Sequence, residues 1–99
     1  MKKFLALMVV GLLYTAPING VWVDDNQFFS CPNVCARDRA SGGYRYIQII
    51  NNDRGYYSCN ITATNGANYS NIMVAPGTLT RYFTIIDSRA RYAWECYPV

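Results

Sequence analysis

Three hydrophobic rhythms follow one another along the chain. Behind Met1-Lys2-Lys3 runs an apolar stretch from Phe4 to Leu13, closed by Pro17 and the small residue Gly20. Next, Ser30 precedes Cys31-Pro32, which reads as a helix start: a capping hydroxyl, then proline in the first turn. Cys31, Val34 and Cys35 then recur at helical spacing, so the pattern predicts a helix to Ala40, stopped by Ser41-Gly42-Gly43. Arg37 and Arg39 are expected to look outward. Beyond Gly43, runs rich in Tyr, Ile, Thr, Val and Phe alternate with turn residues and predict strands. They are Tyr44 to Ile50, Tyr56 to Ala63, Tyr69 to Val74, Thr78 to Ile86 and Arg91 to Tyr97. Short connections such as Asn51 to Gly55, Asn65-Gly66 and Ala75-Pro76-Gly77 suit antiparallel hairpins. In the second strand Tyr57, Cys59, Ile61 and Ala63 share one face; in the last, Tyr92, Trp94 and Cys96 do. Val21 to Val23 is a candidate further edge strand.

The expected fold is therefore α+β: one short helix disulfide-stapled onto a four- to five-stranded antiparallel sheet. The alternative is a small β-barrel with the helix as a plug. Cys31, Cys35, Cys59 and Cys96 form an even set with three possible pairings. A bridge between Cys31 and Cys35 would strain a helix, so each is expected to reach one of Cys59 and Cys96, which with which being open.

The first twenty residues have the layout of a secretory signal: charged start, apolar core, helix breaker, small residue at the cut. The apolar run is about half of what a membrane span needs. Residues 21–99 are then one small disulfide-bonded domain, secreted or periplasmic, where disulfides persist.

Removing the leader changes the charge picture. Both lysines belong to it, leaving seven arginines against five aspartates and Glu95, a net charge of +1. Such a balance has no large field to steer nucleic acid or anionic membranes. With no histidine, no lysine and oxidised cysteines, no nucleophile–base set is available, so no enzyme is expected. Asp24-Asp25 reads as a solvated or capping pair, and Glu95 as an exposed ion-pair partner of Arg91. Cys-x3-Cys without histidine suits neither zinc nor thioredoxin-like chemistry. No metal or cofactor is expected.

What remains is aromatic and amide content. The domain keeps eight of the nine tyrosines, and asparagine recurs in its turns. Tyrosine offers a flat apolar face with a polar tip at low entropy cost. Tyr44, Tyr46, Asn51, Asn52, Tyr56 and Tyr82 are the candidate ligand residues, stacking on sugar rings and supplying hydrogen bonds. Tyr69, Tyr97, Asn65 and Asn68 are further members of the same set. Asn60-Ile61-Thr62 and Asn68-Tyr69-Ser70 match the glycosylation acceptor pattern.

Cys-Pro-Asn-Val-Cys, Gly-Gly, Tyr-Tyr-Ser-Cys and the terminal Trp-Glu-Cys together resemble small exported bacterial domains of unassigned function. Ser41-Gly42-Gly43-Tyr44 partly resembles the Ser-Gly-x-x-Tyr loop of periplasmic lysozyme inhibitors. It is one residue short, with Arg45 at the tyrosine position, and departs from that family. The expected function is a non-catalytic exported binding module for glycan or a cell-surface component. The alternative is a secreted protein-binding factor, such as an enzyme inhibitor or host-directed effector.

Overall fold

Gly42 and Gly43 both take positive φ, 60° and 85°, the backbone that a two-residue hairpin turn requires and a Cβ disfavours. The computed structural model describes residues 18–19, 22–64, 68–85 and 89–99. In it, a hairpin stands where a helix end was expected. β2 (Val34–Ser41) and β3 (Tyr44–Asn51) run antiparallel from Ser41↔Tyr44 to Val34↔Asn51. The helix expected from Cys31 to Ala40 is thus replaced by a loop and a strand. Ala36, Arg37 and Arg39 are good helix formers, but pairing along all of β3 overrides so weak a preference. The one helix among the described residues is the single turn α1 (Asp25–Phe28).

The other strands are β1 (Ile18–Asn19), β4 (Tyr57–Ala63), β5 (Asn68–Val74), β6 (Thr78–Leu79), β7 (Phe83–Ile85) and β8 (Tyr92–Pro98). They form two antiparallel sheets, one ordered β1-β8-β4-β5, the other β2-β3-β6 with β7 also on β3. The two sheets replace the single sheet expected, and neither closes into a barrel. Apart from Ile18 and Asn19, the expected leader lies outside the described residues. So do Val21 of the candidate edge strand, of which Trp22 makes a bridge to Ala36, and the Asn65-Gly66 turn.

The core lies between the sheets. Tyr57, Cys59, Ile61, Val74, Trp94 and Cys96 of the first meet Val34, Ala36, Ile47, Ile49, Phe83 and Ile85 of the second. The apolar faces read for the second and last strands are the buried ones. Each large side chain so buried contributes roughly 1.5–3 kcal/mol. A smaller cluster of Phe28, Cys31, Cys35 and Ile50, with Val23 against it, lies on the outer face of the second sheet.

The disulfides are Cys31–Cys35 and Cys59–Cys96, correcting the expectation that each helical cysteine would reach the sheet. Without a helix the objection to the first bridge disappears. The loop before β2 doubles back, bringing the two Cα atoms to 6.4 Å. Cys59 and Cys96 are direct cross-strand partners on the buried faces of β4 and β8.

The strand expected from Thr78 to Ile86 is split into β6 and β7, both on β3. Leu79 pairs with Ile50 and Phe83 with Ile47, so Thr80, Arg81 and Tyr82 stand opposite only Gln48 and Ile49. One extra residue of this kind is a bulge. Thr80 stabilises it: its Oγ1 accepts the Ile49 N–H at 3.0 Å, and its own N–H donates to the Ile49 carbonyl at 2.8 Å.

Candidate functional site

The bulge decides which way Tyr82 points. Leu79, paired with Ile50, faces outward, and in an unbroken strand Tyr82 would face the core. The extra residue inverts the alternation, so Phe83 and Ile85 enter the core and Tyr82 joins the outer face. There it stands edge-on to Tyr46, ring centroids 6.5 Å apart, and Tyr46 stands edge-on to Tyr44 at 6.3 Å. Tyr44 and Tyr46 share this face because they are two apart on β3. The Arg39 guanidinium lies 5.9 Å from the Tyr82 ring, a cation–π distance. Arg39, Ala40, Ser41, Tyr46 and Tyr82 line a hollow of about 400 Å3.

Residues 25–29 cover the other end of this face, and Asp25 anchors one wall of the hollow. Arg37, expected to look outward, is on the outer face but buried beneath them. Its Nε and Nη2 donate to Gln48 Oε1 at 3.1 and 2.8 Å, and its guanidinium lies 4.1 Å from the Phe28 ring centroid. Gln48 in turn donates to the Thr80 carbonyl at 2.7 Å, tying Arg37 to the bulge. Asp25 bridges Arg37 Nη1 and Arg39 Nη2 at 3.2 and 3.0 Å. The Arg39 contact is exposed and contributes little stability, but it orients the guanidinium beside Tyr82. Arg39 and Ser41 are not among the candidate ligand residues read from the sequence. The available signal was the period-two pattern of Arg37, Arg39 and Ser41, hidden by the helix reading.

Three of the six candidate ligand residues, Tyr44, Tyr46 and Tyr82, therefore come together. The other three do not. Asn51 is fully buried: its Nδ2 donates to the Gly55 and Val74 carbonyls at 2.8 and 3.0 Å, and its Oδ1 accepts the Asp53 N–H at 2.9 Å. Asn52 donates to the Phe28 carbonyl at 3.2 Å and to Cys31 Sγ at 3.3 Å. Tyr56 is exposed, but it precedes β4 at the Asn51 end of β3, far from Tyr44. Of the wider set, Tyr69 donates to the Thr84 carbonyl at 2.6 Å. Asn60 of the first glycosylation pattern is engaged by Asn71 N–H and Glu95.

Among the described residues, four carboxylates serve structural partners. Asp25 holds the two arginines, and Glu95 accepts from Asn60 at 3.4 Å. Asp53 accepts from the Tyr57 hydroxyl at 2.6 Å. That bond pushes the Tyr57 phenol up to about 12, and it lowers the Asp53 carboxyl together with the Arg54 N–H. Asp38 accepts from the Tyr92 hydroxyl, and burial followed by that bond pushes Tyr92 up to about 12. No three His, Cys, Asp or Glu side chains among the described residues gather as metal ligands would.

No protein-family model matches the chain, and no curated protein or solved structure matches it. Among the described residues no helix is long and apolar enough to cross a membrane, and the two disulfides are compatible with an oxidising compartment.

Proposed function

We propose that the chain is an exported, non-catalytic binding module that recognises glycan through Tyr44, Tyr46 and Tyr82, with Arg39 and Ser41 at the rim. The observation that carries this reading is the edge-to-face row of three tyrosines on the uncovered end of a sheet. Apolar rings with polar tips suit a sugar, whose C–H faces stack while its hydroxyls hydrogen-bond. The adjoining hollow falls within the size range of small-ligand sites. The commitment of Asp25, Asp38, Asp53 and Glu95 to structural partners supports the non-catalytic part.

A glycan array with free-sugar competition tests the proposal. Competable binding is expected, and Tyr82→Ala is expected to weaken it at least about tenfold, a loss of about 1.4 kcal/mol, with the fold intact by circular dichroism. A silent array, or binding indifferent to both Tyr46→Ala and Tyr82→Ala, would sink the glycan reading. Capture of a protein insensitive to sugars would favour the protein-binding alternative. Export is checked by N-terminal sequencing of released protein, which should begin at Val21.

A further inference from the structure

Trp94 carries a donor that nothing among the described residues answers. The side chain is 3% exposed, and its indole Nε1 has no hydrogen-bond acceptor, an arrangement that is costly and rare in native structures. Trp94 also lines a cleft of about 560 Å3, within the size range of small-molecule sites. The cleft draws on both sheets. Trp94 reaches it from β8, while the opposite walls come from residues 22–35, which the Cys31–Cys35 bridge constrains. Trp22, Val23 and Val34 make it largely apolar; Gln27, Ser30 and Asn33 are its uncharged polar side chains, and among the described residues no charged one lines it. The Trp22 ring stands edge-on to Trp94 at 6.5 Å. Its lining shares no residue with the hollow beside Tyr82.

We propose that this cleft is a second ligand site, for a neutral, largely apolar small molecule bearing a hydrogen-bond acceptor such as a carbonyl oxygen, which Trp94 Nε1 donates to. The charge-free lining sets the neutrality, because an ionised group would lose its hydration there without a partner. The two indoles favour an aromatic body. Solvent does not reach Nε1, so binding includes a side-chain adjustment, a common response at binding surfaces.

Nile red, a neutral aromatic dye with a carbonyl, is the probe, titrated into the disulfide-bonded protein. The expected result is saturable one-to-one binding with blue-shifted emission. Trp94→Phe keeps a ring and removes the N–H, and is expected to weaken binding several-fold. Ser30→Trp, at an exposed position on the cleft, is expected to abolish it without unfolding the chain. Diphenylhexatriene, a hydrocarbon without an acceptor, should bind the wild type and Trp94→Phe alike. Absence of saturable Nile red binding would overturn the proposal. So would Nile red affinity unchanged in both variants, or an equal loss of the two dyes in a folded Trp94→Phe protein.

Discussion

Asn51 and Asn52 carry the amides a sugar site would use, yet both serve the protein's own backbone. Asn51 closes the turn between β3 and β4 and ties it to β5 with three hydrogen bonds. Asn51→Ala leaves the Val74 carbonyl buried without its partner and is expected to cost about 3 kcal/mol, at roughly 1–3 per unsatisfied group. The urea midpoint should fall while glycan affinity of the folded fraction stays unchanged. Tyr57 and Tyr92 are likewise structural, and they make a pH prediction with a definite sign. Each ionises near 10.0 when unfolded and at about 12 in the fold. Their contribution is complete below pH 10 and is lost as pH rises through 12. Urea midpoints should therefore drop as pH rises from 10 towards 12, and the Tyr57→Phe, Tyr92→Phe protein should show a shallower drop. Asp53, lowered in the fold, acts in the opposite sense, its contribution fading as pH falls below 3.8.

Most strand positions were legible because turn residues punctuate them. Tyr44 to Ile50 differs from β3 by one residue, and the period-two faces of β4 and β8 are those observed. The helix misreading has a specific origin. Ser30-Cys31-Pro32 is a sound capping signal, and Gly42-Gly43 ends a helix as well as it turns a hairpin. Only the presence of β3 as partner separates the two. Strand adjacency was not legible either: nothing in the spacing of Cys59 and Cys96 says that β4 and β8 are neighbours. The site was half visible. Tyrosine type singled out Tyr44, Tyr46 and Tyr82 as candidates, whereas the orientation of Tyr82 depends on a bulge whose only sequence trace is Thr80. Deleting Arg81 should restore regular alternation in the present register, with Thr80 opposite Ile49 and Tyr82 opposite Gln48, so that Tyr82 stays on the outer face and Phe83 in the core. That variant is expected to keep glycan binding and to change stability by no more than about 1.5 kcal/mol, the scale of one hydrogen bond at Thr80, as thermal melts and the array would show.

At the scale of the molecule, the two disulfides are unequal. Cys59–Cys96 closes a loop of sequence separation 37, Cys31–Cys35 one of 4. Loop-closure entropy gives about 4 and about 2 kcal/mol respectively. Cys59→Ala with Cys96→Ala should accordingly lower the urea midpoint more than Cys31→Ala with Cys35→Ala. The second pair should instead loosen residues 22–33, read as faster amide exchange at Val23, whose N–H bonds the Ala36 carbonyl.

Neither bridge crosses from one sheet to the other. Cys59–Cys96 joins two strands of the first sheet, and Cys31–Cys35 closes a loop on the outside of the second. Between the layers run the chain connections, the apolar core and a few hydrogen bonds, among them Asn51 to Val74, Tyr69 to Thr84 and Tyr92 to Asp38. The covalent staples thus restrain each leaf but leave the seam between them free to part. Alkali bears on that seam, since ionising Tyr92 would set a phenolate against the Asp38 carboxylate. In alkali the seam is therefore expected to weaken with every sulfur bond intact.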